Sequence, residues 1–136
     1  MHKKLLALSL VLAFVLASCG GSGPSKNIDV TFAEFTFTPN AFTIPAGQEI
    51  TINAVNNGAV IHDFVIMKFG QSVGENFGDE DEGNIYWEVE VEPGQEATTI
   101  FTAPSEPGEY QLVCGTEGHY TAGMIGTLIV VARSEE

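Results

Sequence analysis

From residue 27 onward the chain never sustains the 3.6-residue apolar period of a helix; short β-branched and aromatic runs alternate instead with Gly, Pro and Asn. Strands are predicted at Asp29–Thr36, Ala41–Ile44, Glu49–Asn56, Asp63–Lys68, Ile85–Val91, Ala97–Ala103, Gly108–Cys114 and Ile125–Ala132. Turn signals at Thr38-Pro39-Asn40, Pro45-Ala46-Gly47, Asn56-Asn57-Gly58, Glu92-Pro93-Gly94 and Glu106-Pro107-Gly108 separate them. About eight short strands spaced in this way predict an all-β chain folded as a two-sheet Greek-key β-sandwich. The least regular stretch, Gly70 to Asn84, carries Glu75, Asp79, Glu80, Asp81 and Glu82, and reads as a loop with one helical turn.

The N-terminus follows a different logic. Met1-His2-Lys3-Lys4 precedes an apolar run from Leu5 to Ala17, the layout of a secretory signal and too short to span a bilayer comfortably. Leu16-Ala17-Ser18-Cys19 resembles a bacterial lipoprotein box, so residues 1–18 are read as a signal peptide and Cys19 as the lipidated N-terminus. Residues 19–26, rich in Gly and Ser, are read as a flexible tether, and residues 27–136 as a single domain. Membrane attachment through that lipid and an extracytoplasmic location, periplasmic or cell-surface, follow as expectations. The same cleavage removes Lys3 and Lys4, leaving Lys26, Lys68 and Arg133 against 18 acidic residues, a formal charge of −15. Such a surface argues against nucleic acid and for basic protein partners.

Chemistry is concentrated in few residues. Of three histidines, His2 leaves with the signal; His62 and His119 remain, with Cys114 the one cysteine outside the anchor. Two His and one Cys form the equatorial set of a blue-copper site, and a thioether is its weak fourth ligand, here Met124. Cys114-x4-His119-x4-Met124 lies between the last two predicted strands, so one loop folds three ligands around one ion. His62 follows the turn Asn56-Asn57-Gly58 and reaches the same end of the sandwich from a second loop. One copper ion cycling between Cu(I) and Cu(II) is the cofactor this set implies. The soft sulfur favours Cu(I) and the imidazoles suit Cu(II), so neither oxidation state is fully satisfied.

These residues resemble the cupredoxins, the small blue copper proteins. The likeness runs from Phe35-Thr36-Phe37-Thr38-Pro39 and Ile44-Pro45-Ala46-Gly47 through Pro107-Gly108-Glu109-Tyr110 to Gly126-Thr127-Leu128-Ile129-Val130. Four residues on each side of His119 look most like the auracyanin group. The resemblance implies a one-electron carrier with copper at one end of the sandwich. Asp63 stands where such proteins commonly carry Asn, and a carboxylate there calls for hydrogen bonds, with Thr116 or nearby amides as donors, unless it turns to solvent.

Around the ligands, Ala59, Val60, Tyr120, Ala122 and Gly123 form an expected electron-transfer patch beside His119. The acidic stretch, Glu75 and Asp79 to Glu82, is the candidate docking surface for a basic redox protein, a cytochrome or membrane redox complex; the carrier itself is expected to be a monomer. Met67, Tyr86 and Trp87 read as packing. Copper enzymes built on this fold need additional histidines, which the chain lacks, so an enzyme is not expected. Copper storage or delivery, or a metal-free immunoglobulin-like lipoprotein, are the alternative readings.

Overall fold

The computed structural model describes residues 23–134; the signal peptide, Cys19 and the start of the tether lie outside them. Nine strands form among the described residues: β1 (Asn27–Ala33), β2 (Thr36–Thr38), β3 (Ala41–Pro45), β4 (Glu49–Asn56), β5 (His62–Met67), β6 (Ile85–Val91), β7 (Glu96–Thr102), β8 (Gly108–Val113) and β9 (Ile125–Val131). They make a four-stranded sheet, β2-β1-β4-β7, facing a five-stranded sheet, β3-β9-β8-β5-β6. This is the expected all-β sandwich.

Alternation along the strands explains why two sheets form. In β4 every second residue, from Ile50 to Asn56, is buried, and β1 buries Ile28, Val30 and Phe32 in the same rhythm. Their inner faces meet Ile44, Phe64, Ile66, Leu112, Leu128 and Val130 of the opposite sheet. At the ligand end of this core Phe32, Phe37, Phe42 and Phe64 pack ring against ring, with centroids 5.5–6.4 Å apart. Trp87 stacks on Phe101 and Met67 lies in a satellite cluster with Val65, Val73 and Val113, so both are packing residues as read.

Most strand ends fall within a residue or two of the predicted ones, and two differences matter more. The strand predicted at Asp29–Thr36 breaks after Ala33, and the chain reverses through Glu34-Phe35 to pair β2 with β1, Ala33 opposite Thr36. Phe35 takes φ +63°, a left-handed turn conformation without the Gly or Asn that normally signals one. The second difference lies at the tether. The Ser25 amide donates to the Thr43 carbonyl and the Lys26 carbonyl accepts from Thr51, so the chain is tied to the sandwich two residues before Asn27.

The stretch between β5 and β6 contains the expected single helical element, a 3₁₀ segment at Asp79–Asn84. Asp81 is buried there and accepts the Gly78 amide at 3.0 Å, so it closes its own turn rather than facing a partner. Glu75, Asp79, Glu80 and Glu82 stay exposed, and β6 adds the exposed Glu88 and Glu90, which composition of the loop alone did not reveal.

Candidate metal centre

β5 begins at His62 and β8 ends at Val113, one residue before Cys114; the two strands pair antiparallel, with Val65 opposite Val113. The pairing brings the Asp63 amide to within 3.4 Å of the Cys114 sulfur. Beyond Cys114 the chain makes a compact loop closed by its own backbone: His119 N–H to Thr116 O, Met124 N–H to His119 O, and Cys114 N–H to Met124 O at 3.1 Å. The left-handed glycines Gly118 and Gly123 flank His119 and Met124 and permit those reversals. Three of the four expected ligands are thus fixed by one loop, and His62 by the neighbouring strand.

The donor atoms converge. His62 Nδ1 lies 3.1 Å from His119 Nδ1, and the Cys114 sulfur lies 3.5 Å from His119 Nδ1 and 3.9 Å from His62 Nδ1. Metal–nitrogen bonds of about 2.0 Å and a metal–sulfur bond of about 2.3 Å, spread at about 120°, would place N···N near about 3.5 Å and N···S near about 3.7 Å. The two N···S distances bracket the expected value, and the N···N distance is somewhat shorter. Met124 is fully buried in the same core cluster as Cys114, while His119 is 8 % exposed, the most accessible of the four. The residues present therefore fit one ion held by two imidazoles and a thiolate, with a thioether beside them.

Electrostatics favour a site that is uncharged until an ion arrives. Burial lowers both histidines below their ordinary value, and His119 lowers His62 further, while Glu34 acts against this on both rings. Burial also raises the Cys114 thiol, opposed by hydrogen bonds from Asp63 and Thr116. An incoming cation must displace the thiol proton, so binding releases a proton.

The neighbours of the ligands are arranged otherwise than expected in two cases. Thr116 does not serve Asp63: its hydroxyl donates to the Ile61 carbonyl at 3.1 Å and so ties the two ligand loops directly. The Asp63 carboxyl turns neither to donors nor wholly to solvent, and its Oδ1 is buried without a hydrogen-bond partner. Burial, then Glu90, Glu88 and Glu82, push this carboxyl up to about 6. A carboxyl raised on folding costs nothing below its unfolded value and its full penalty above the folded one. Asp63→Asn is therefore expected to stabilise the metal-free protein at pH 8 by roughly 1 kcal/mol, a figure discounted for partial exposure. At pH 5 the gain should shrink. Urea unfolding at both pH values checks this, and an equal gain at both would contradict it.

Of the expected patch, Ala59, Val60, Ala122 and Gly123 are exposed. Tyr120 is half-buried, packs against the satellite cluster and donates to the Val73 carbonyl at 3.3 Å, so it anchors the loop instead. A residue that sequence reasoning missed takes its place: Phe35, 44 % exposed, meets the His119 ring edge-on at 5.3 Å. Asn56 was missed as well. Fully buried, it donates to Val60 O at 2.9 Å and Val91 O at 2.8 Å and accepts Gly58 N–H at 2.8 Å, fastening the loop that leads into His62.

Sandwich and donor set together define a protein of the blue-copper class. The chain belongs to the cupredoxins: the family model described as cupredoxin-like domain matches residues 6–130. It is 32% identical to auracyanin-A of Chloroflexus aurantiacus, the match covering 92% of this chain and 94% of that protein. The solved structure of that relative, a "blue" copper protein of a green thermophilic photosynthetic bacterium, superposes with a TM-score of 0.63 at 31% identity over 80% of this chain and 100% of the other. Reduced auracyanin from the photosynthetic bacterium Roseiflexus castenholzii gives a TM-score of 0.67 at 30% identity, covering 80% of this chain and 99% of its own.

Proposed function

We propose that this protein carries single electrons through one copper ion held by His62, Cys114, His119 and Met124, shuttling between membrane-associated redox proteins outside the cytoplasm. The observation that carries the reading is the buried triangle of His62 Nδ1, His119 Nδ1 and Cys114 Sγ. Copper supplies a one-electron couple; the chain supplies the rest. Cys114 and His62 sit on or beside paired strands, and the hydrogen bonds of the 114–124 loop fix His119 and Met124, so the donors need move little between oxidation states. Phe32 and Phe35 brace the two imidazoles edge-on.

Extracytoplasmic anchoring is supported by the Leu16-Ala17-Ser18-Cys19 motif, and the exposed carboxylates of the 75–82 stretch with Glu88 and Glu90 suit a basic partner, whose approach would weaken with salt. A soluble form beginning at Gly20 should bind one copper, turn blue on oxidation and show a reversible one-electron couple. A colourless copper-loaded protein would overturn the reading. Copper that leaves to an acceptor chelator faster than the couple cycles would favour delivery instead.

The electron is proposed to pass at His119, the most exposed ligand, across the uncharged side chains of Val60, Ala122 and Phe35, with the exposed Glu34 at their border. Such a surface sheds water and lets a partner come close. Val60→Lys is expected to keep the blue spectrum, since no ligand is touched, and to slow electron self-exchange. An unchanged self-exchange rate would place the exit on another face.

A further inference from the structure

The turn that sequence reasoning missed places a charge beside the site. Glu34, at the tip of the β1–β2 hairpin, accepts the Ala59 amide with its Oε1 and so clamps the loop preceding His62. Between Glu34 and the imidazole stands Gly58. A Cβ at Gly58 would lie 2.7 Å from Glu34 Oε1 and 2.7 Å from His62 Nε2, so the two atoms are within twice that distance of each other and flank the spot where a side chain at position 58 would stand. His62 turns Nδ1 toward Cys114 and His119, so once Nδ1 binds the ion Nε2 is the nitrogen that bears the proton. That nitrogen is buried and has no hydrogen-bond partner.

Resting on the copper reading above, the geometry points to Glu34 as the residue that positions His62 and tunes the metal: its carboxylate acts across Gly58 on the Nε2–H side of the ring and favours the oxidised ion. A carboxylate facing the distal N–H of a ligating histidine raises the basicity of the ligand nitrogen. Glu34 itself is exposed, so solvent and salt screen part of this field, and its effect on the ring should weaken as ionic strength rises. The Ala59 amide, then the amide of Glu34 itself, hold its carboxyl below the ordinary range, which keeps it ionised at neutral pH. Glu34 is the carboxylate that acts on both imidazoles, whereas the Asp63 carboxyl lies next to Gly115.

The test compares Glu34→Gln, which removes the charge but can still accept the Ala59 amide, with Glu49→Gln, an equal charge change at the far end of β4. Glu34→Gln should keep the blue spectrum and shift the reduction potential upward several-fold more than Glu49→Gln, with the difference shrinking as salt is added. The clamp is read without metal: in the copper-free protein Glu34→Ala should speed exchange of the Ala59 amide hydrogen roughly tenfold, and Glu34→Gln should largely restore it. Equal potentials for the two Gln variants in a blue protein would overturn the tuning role, and unchanged Ala59 exchange in Glu34→Ala would overturn the positioning role. A wild type that never turns blue would remove the copper reading and this inference with it.

Discussion

Replacing Cys114 by Ser should abolish the blue colour completely while the protein still folds. The colour depends on electron density moving from a thiolate to the oxidised ion, and a serine oxygen is a harder donor whose proton is far more firmly held. Ser is close to Cys in size, so no cavity opens at a position that is fully buried in the main core. The buried hydroxyl also inherits the Asp63 amide as a donor, which offsets part of its desolvation. We expect a stability loss of about 1–2 kcal/mol for the metal-free protein, and far weaker copper binding. Absorbance of the copper-loaded variant, circular dichroism and urea unfolding check the three parts. Intense blue colour in the Ser variant would mean that Cys114 is not the ligand.

The strands of this chain were legible because their burial alternates: β4 from Glu49 to Asn56 and β6 from Ile85 to Val91 have the predicted bounds. The ligands were legible because scarcity singled out His62, Cys114 and His119, and loop position chose Met124 over Met67, which sits within an apolar strand. What escaped depends on contacts between segments distant in sequence. Phe35 adopts a positive φ, which local preference disfavours, because the hairpin lets its ring cover His119. Glu34 looks like any exposed acid until the hairpin brings it to Ala59, and Thr116 reaches Ile61 rather than Asp63 only because β5 and β8 pair as they do. Asp81 was counted among surface charges because nothing in a run of acids tells which one folds back onto its own turn.

Asn56 shows the same point with a larger consequence. It ends β4 in one sheet, yet its amide donates to Val91, the last residue of β6 in the other, and Val91 is the residue paired with His62. The same side chain holds Val60 O and Gly58 N–H, so three of its four hydrogen-bonding positions are used on the loop leading into His62 and on the strand paired with it. Truncation to Ala removes all three bonds at a fully buried position and leaves two carbonyls and one amide to find new partners. Each lost bond is worth about 1 kcal/mol, with a further penalty where a partner stays dry, so Asn56→Ala should cost roughly 3–4 kcal/mol. Asn56→Asp tests the donors separately: it retains the acceptor for Gly58 but turns a carboxylate on the Val60 and Val91 carbonyls, and it should be at least as damaging. In both variants the 57–61 loop loses its fastening before the β5 ladder does, so copper affinity should fall more than the change in global stability predicts. Urea unfolding of the metal-free protein together with copper titration reads both effects. An Ala variant within about 1 kcal/mol of wild type would mean that water replaces the amide without loss, and that the loop is held chiefly by Glu34 and Thr116.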